Sequence, residues 1–313
     1  MKRFGLVFLI VAIFLLSGCN IKSSNNEDNK KINVVTTIFP QYDFTRQIAK
    51  DKVNLKMLIP PGAESHSYEP TPQDIINIQK SDLFIYVGGE NDEWIKNILS
   101  SIDTSQKTII SLIDCVDTLD ENFDTIAPDQ ESHKNEEKET DEHVWTSPVN
   151  AIKITKKISE TLCKLDSKNS DFYNKNANEY IKKLNNLNDS FKNIVSHSKR
   201  NTLVFGDRFP FRYFTEEYGL NYYAAFPGCA SQTDTNATKL SFLIDKIKKN
   251  DIPVVLKIEL SNDNIARSLA EATNTKIRTI YSCHNASKDD FENGITYLDY
   301  MNKNLNVLEE ALN

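Results

Sequence analysis

Ile32-Asn33-Val34-Val35-Thr36-Thr37-Ile38-Phe39 opens the folded part of the chain with an apolar, β-branched run. Residues 41–50 follow with helical spacing, and residues 53–59 return to an extended pattern. This strand-helix-strand opening decides the fold class. Short apolar strands separated by amphipathic helices imply parallel strands whose sheet is covered on both faces.

The alternation continues in both directions along the chain. Thr71-Pro72 opens a helix running to Asp82, proline being favourable at the first helical position. Residues 83–89 read as a strand, 93–102 as a helix and 108–113 as a strand. A second set repeats the pattern, with strands at 202–205, 220–226, 253–258 and 276–281. Its helices fall at 209–218, 235–249 and 262–273, and a closing helix starts at Asp289. Between the sets, apolar residues from Ile152 to Phe191 recur at three and four, which predicts a long helical stretch. It can break at 166–170, where Asp166 and Ser170 offer a second N-cap. A helix from Ser170 toward His197 is about 40 Å long at ~1.5 Å per residue, enough to join two lobes. The expected architecture is α/β: two lobes, each with a four-stranded parallel sheet flanked by helices, joined by one long linking helix. The expected boundaries are 32–147, 148–198 for the linking helices, and 199–313.

The amino terminus is read separately. Met1-Lys2-Arg3, the apolar run from Leu6 to Leu16 and the ending Leu16-Ser17-Gly18-Cys19 form a signal peptide over 1–18, too short for a comfortable permanent span. That ending resembles bacterial lipoprotein signals, which implies a lipid-modified Cys19 on the outer side of the cell membrane. Residues 19–31, rich in Ser, Asn, Asp and Lys, form a flexible tether. With 37 basic against 44 acidic residues the net charge is -7, which argues against a nucleic-acid partner. Residues 117–142 are an acidic low-complexity loop that holds His133 and reads as a solvated surface insertion, with weak cation capture as a minor alternative.

Candidate site residues gather at element ends. His66 lies on a loop braced by Pro60, Pro61, Pro70 and Pro72, with Gly62 permitting a turn. In open parallel sheets ligands bind beyond the carboxyl ends of strands, and His66 follows the 53–59 strand. His143 stands just before a helix. In the second lobe Asp207, Cys229, Glu259, and Cys283 with His284 each follow a strand.

Three motifs carry a resemblance. Gly62-x-x-x-His66-x-Tyr68-Glu69-Pro70-Thr71-Pro72, Asp141-x-His143-Val144-Trp145-x-Ser147-Pro148, and the block from Phe205-Gly206-Asp207-Arg208-Phe209-Pro210 to Tyr218-Gly219-Leu220 resemble the solute-binding lipoproteins of zinc and manganese ABC importers. The likeness covers nearly the whole mature chain. It implies a metal held between two α/β lobes, with His66 and His143 as the ligands of the first lobe, delivered to a membrane permease and its ATPase by a monomeric, lipid-anchored protein. For the second lobe the expected ligands are Asp207, whose alternative role is a helix N-cap, and His284, with Cys283 as its rival. Glu64 and Glu259 stand in reserve as ligands or as acceptors orienting an imidazole. Three imidazoles and one carboxylate suit tetrahedral zinc, with manganese the second choice. Because imidazoles bind metal when neutral, affinity is expected to collapse below about pH 6.5.

Five cysteines are present. Cys229 and Cys283 both follow strands of the second lobe and are expected to form a disulfide, although connectivity is not deducible from sequence alone. Cys115 and Cys163 are expected to be buried and free. Two further functional classes compete with this reading. A zinc hydrolase would use Glu64 or Glu259 as base, but the chain has no His-Glu-x-x-His helix, nucleophile elbow or phosphate-cradling loop. A surface adhesin would expose large apolar patches.

Overall fold

The computed structural model describes residues 31–64, 68–89, 92–128, 139–228, 230 and 236–313. The signal peptide with Cys19, and also His66, His133 and Cys229, lie outside the described residues.

The first lobe runs β1 (Asn33–Thr36), α1 (Phe39–Ala49), β2 (Asn54–Met57), α2 (Pro72–Lys80), β3 (Leu83–Tyr86), α3 (Glu93–Ser101) and β4 (Thr108–Ser111). Its four strands are parallel in the order β2-β1-β3-β4. Two helices follow, α4 (Pro148–Leu165) and α5 (Ser170–Ser196), the latter 27 residues long. The second lobe runs β5 (Thr202–Phe209), α6 (Arg212–Tyr218), β6 (Asn221–Pro227), α7 (Ala237–Lys249), β7 (Val254–Ile258), α8 (Asn264–Thr273), β8 (Lys276–Ile280), α9 (Lys288–Glu292) and α10 (Tyr297–Leu312). Its parallel sheet has the order β6-β5-β7-β8. Two parallel four-stranded sheets and the long helix are therefore the architecture that the alternation implies.

Strand period explains how each sheet feeds two cores. In β5, Leu203 and Phe205 join the large core while Val204 joins a smaller one beneath α7 and α8. In β1, Val34 joins the large core and Val35 the small one beneath α2 and α3. The large core is continuous between the lobes. It takes in Phe44 and Ile48 of α1, Tyr180 and Leu184 of α5, and Tyr297 and Leu308 of α10, all buried. On α5 the buried positions Tyr173, Ala177, Tyr180, Leu184, Leu187 and Phe191 recur at three and four, the spacing of one helical face.

Capping fixes the entry to several helices. Thr71 accepts a bond from the Asp74 amide and Pro72 occupies the first turn of α2, while the Asp74 carboxylate accepts from the Thr71 amide. Ser147 caps α4 in the same way, with Pro148 at its first position. The break between α4 and α5 falls at 166–169 as expected, but no side chain caps α5. The Asp166 carboxylate instead accepts from Asn169 (2.7 Å) and the Tyr173 hydroxyl (2.6 Å).

Three expectations are corrected. First, β5 extends to Phe209, because Arg208 and Phe209 pair with Phe226 and Pro227 after a register shift, so α6 begins only at Arg212. The aromatic spacing of 209–218 reflects core packing on both sides of a strand end. Second, the closing helix is two helices. α9 ends at Glu292, and Gly294 at φ +76° turns the chain into α10, which Thr296 and Asp299 cap. Third, the described part of the acidic segment is laced into the second lobe instead of standing free. Ile126 bridges Ala224 of β6, the Ala127 amide donates to the Ala224 carbonyl (2.8 Å), and Ala127 is buried. Glu121 and Glu139 pair through their main chains (2.8 Å), closing the base of the segment.

Candidate metal centre

The loops at the carboxyl ends of the strands from both lobes meet around one cavity of about 80 Å³. Glu64, His143, Arg208, Glu259, His284 and Asn285 contribute to its lining.

His143 lies in the short turn before α4 and is wholly buried. Its amide donates to Asp141 Oδ1 (2.8 Å), and the same oxygen lies 3.2 Å from its ring Nδ1. That contact orients the ring. The Asp141 main chain is held from the other lobe, since the Tyr213 hydroxyl donates to its carbonyl (2.7 Å). Burial pulls the His143 pKa down, but the Asp141 carboxylate outweighs it, so the ring titrates above an ordinary histidine. Gly228 is required at close quarters. A Cβ there would stand 2.9 Å from His143 Cε1 and 2.9 Å from the Phe209 carbonyl oxygen.

His284 follows β8 on the turn Ser282-Cys283-His284, which two groups hold. Glu259, at the end of β7, accepts from the Ser282 amide and hydroxyl, both at 2.7 Å. The Trp145 indole donates to the Ser282 carbonyl from the first lobe (2.8 Å). The His284 ring packs against Trp145, with centres 5.1 Å apart, and stands edge-on to His143 at 5.5 Å. Two imidazoles on one tetrahedral zinc, each nitrogen about 2.1 Å from the ion, place their ring centres about 5 Å apart. The observed pair fits that requirement. Burial pushes the Glu259 carboxyl up, its bonds from the Ser282 turn opposing this.

Asp207 does not share this cavity. It lines a neighbouring one of about 190 Å³ behind Arg208. One oxygen accepts the Arg208 amide (2.8 Å) and the other accepts the Ile258 amide (3.0 Å) and the Ser261 hydroxyl. Nor is it a helix cap, because it lies within β5. Its carboxylate knits the ends of β5 and β7 together. The neighbouring Arg208, to which the sequence reading gives no role, reaches the cavity that His143 and His284 line and pairs with Glu64 of the first lobe at 2.9 Å.

Among the described residues Cys283 is a free thiol, buried in the large core, and Cys229, with which a disulfide is expected, lies outside the described residues. At φ +61° its backbone turns the side chain away from the cavity, whose lining does not include it. Burial pushes this thiol far up. Cys115 and Cys163 are free as expected but only half-buried.

Among the described residues no three His, Cys, Asp or Glu side chains form a complete metal cluster. His143 and His284 are brought together, and Glu64 lies two residues before His66 in the chain.

The family model for the periplasmic component A of the zinc-uptake complex matches residues 34–311. The chain is 31% identical over 315 residues to the high-affinity zinc uptake system protein ZnuA of Bacillus subtilis (strain 168), covering 99% of this chain and 98% of that protein. It is 28% identical over 311 residues to the zinc-binding lipoprotein AdcA of Streptococcus pneumoniae (strain R6), covering 99% of this chain and 61% of that longer relative. The crystal structure of the Zn(II)-bound ZnuA-like domain of Streptococcus pneumoniae AdcA matches with a TM-score of 0.75 and 29% identity, over 90% of this chain and 99% of that one. A match along nearly all of the folded chain, together with a histidine pair between two α/β lobes, identifies this protein as a member of the zinc-uptake complex component A family, the solute-binding components of zinc uptake systems.

Proposed function

We propose that this protein captures zinc in the cavity between its lobes and delivers it to the permease of an ABC importer. The observation that carries the reading is the His143 and His284 pair, one ring from each lobe, 5.5 Å apart at the end of both sheets. The family is one of binding proteins, so the hydrolase alternative is not carried forward.

In this reading His66, His143 and His284 supply imidazoles, and Glu64 is the carboxylate best placed to complete the sphere. Glu64 lines the cavity, whereas Asp207 is engaged elsewhere. Nitrogen donors favour zinc over manganese, whose preferred ligands are oxygens. Glu259 and Asp141 act by holding the turn and the ring that carry the ligands. Cys19 would carry the lipid that keeps the protein, as a monomer, at the outer face of the membrane beside the permease and its ATPase.

The test is titration of the chain from Asn20 onward with zinc and with manganese, in competition with a chelator of known affinity. One-to-one binding of zinc, with manganese bound more weakly, supports the reading. Manganese bound more tightly than zinc, or no metal bound at all, contradicts it.

A further inference from the structure

We propose that Asn285 is a positioning residue that couples the His284 turn of one lobe to the Glu64 loop of the other. This rests on the zinc reading above and extends it to a residue that binds no metal.

Asn285 is almost wholly buried. Its side-chain amide donates to two carbonyls of the first lobe, Pro60 and Ala63, both at 2.9 Å. Its Oδ1 accepts the Ala286 amide at 2.8 Å. Two donors and one acceptor are thus used, and the donors face carbonyls, so the orientation of the amide is fixed by its partners. The neighbouring rungs run the same way. The Gly62 amide donates to the Ala286 carbonyl (2.7 Å), and the Phe39 amide at the start of α1 donates to the His284 carbonyl (3.4 Å).

Residues 284–286 therefore bond at every step to the opposite lobe, and the clasped turn is the one where Gly62 adopts φ +80°. Ala63 is adjacent to Glu64, and Asn285 is adjacent to His284. A shift of the His284 turn is passed through one buried amide to the loop that carries Glu64. Aspartate at 285 keeps the shape but turns both donors into acceptors facing carbonyls. Alanine removes the clasp outright.

The experiment compares wild type, Asn285→Ala and Asn285→Asp with Asn188→Ala. Asn188 is a buried amide on α5 that accepts the Tyr218 hydroxyl far from the cavity lining. Zinc affinity is read by chelator competition, the site by the visible spectrum of bound cobalt(II), and apo stability by thermal melting. Loss of outer-sphere support typically costs ~10–100-fold in metal affinity. The expected result is a tenfold or larger loss for Asn285→Ala, a larger one for Asn285→Asp, and an altered cobalt spectrum in both. Asn188→Ala keeps wild-type affinity and spectrum whatever it loses in melting temperature. Wild-type affinity and spectrum in either folded Asn285 variant would overturn the proposal, as would an equal affinity loss in Asn188→Ala. A wild-type protein that binds no zinc would instead overturn the functional reading beneath it.

Discussion

The two histidines of the cavity are held in different ways. His143 is fixed through its ring, with Asp141 on Nδ1, inside a buried turn. His284 sits on a turn fixed through its main chain, by Glu259 from its own lobe and by Trp145, Asn285 and Phe39 contacts across the cleft. One ring is tuned electrostatically and the other is placed mechanically. The difference teaches that the two lobes do not place their histidines independently, since the turn that carries His284 depends on bonds to the first lobe.

Removing either ring is the harshest way to break the comparison. His143→Ala and His284→Ala are each expected to abolish tight one-to-one zinc binding, measured by chelator competition, and equal loss in both is the signature of a shared ion. Loss in only one would mean that the rings do not meet on one metal.

Ring-held and chain-held placement are next separated by Asp141→Asn and Glu259→Gln. Asp141→Asn should cost ~10–100-fold in zinc affinity. It should also change the pH profile. Zinc needs a neutral ring, and Asp141 keeps the His143 pKa above the usual value, so protons displace zinc at a higher pH than an isolated histidine would allow. Removing that carboxylate lowers the pKa, so the midpoint of the affinity loss with pH, read relative to each protein's own high-pH affinity, moves to lower pH. The sign for the apo protein follows the same logic. A raised folded-state pKa contributes stability that is full below the unfolded value near 6.5 and is lost as pH rises through the folded value. Glu259→Gln should weaken binding less and leave the midpoint in place. A shifted midpoint in Glu259→Gln, and none in Asp141→Asn, would reverse the assignment.

The smallest effect on binding is expected at Asp207. Asp207→Ala leaves the Arg208 and Ile258 amides without their acceptor, costing about 1–3 kcal/mol for each unsatisfied buried donor. Denaturant melts should show this loss while the zinc stoichiometry stays at one. Loss of zinc from a folded Asp207→Ala protein would restore Asp207 as a ligand.

The fold was legible because strands such as Val34-Val35-Thr36 and helices such as 72–80 carry their own period and caps, and these local signals agree with the final packing. Strand-end placement singles out His284, and His143 stands out by its place just before a helix. What the strand-end rule does not distinguish is which of several polar residues at a sheet edge faces the cavity. Asp207 and Glu259 both follow apolar runs of one sheet, yet only Glu259 lines the metal cavity. That choice turns on the register shift in β5, which lengthens the strand past Asp207 and sends Arg208 into the cleft. Gly228 and Asn285 carried no signal as single residues, because their roles come from approaches across long sequence separation. The setting of Cys283 is a similar case. The positive φ of Cys283 points its thiol into the core, and strand-end position says nothing about that torsion.

The central claim is that one zinc ion is bound by imidazoles from both lobes. X-ray absorption of the one-to-one zinc complex tests it most directly, in wild type and in the two single histidine variants loaded at high zinc. The account predicts multiple-scattering from imidazoles in wild type, reduced by one ring in His143→Ala and by one ring in His284→Ala. Imidazole scattering unchanged in either variant would contradict it.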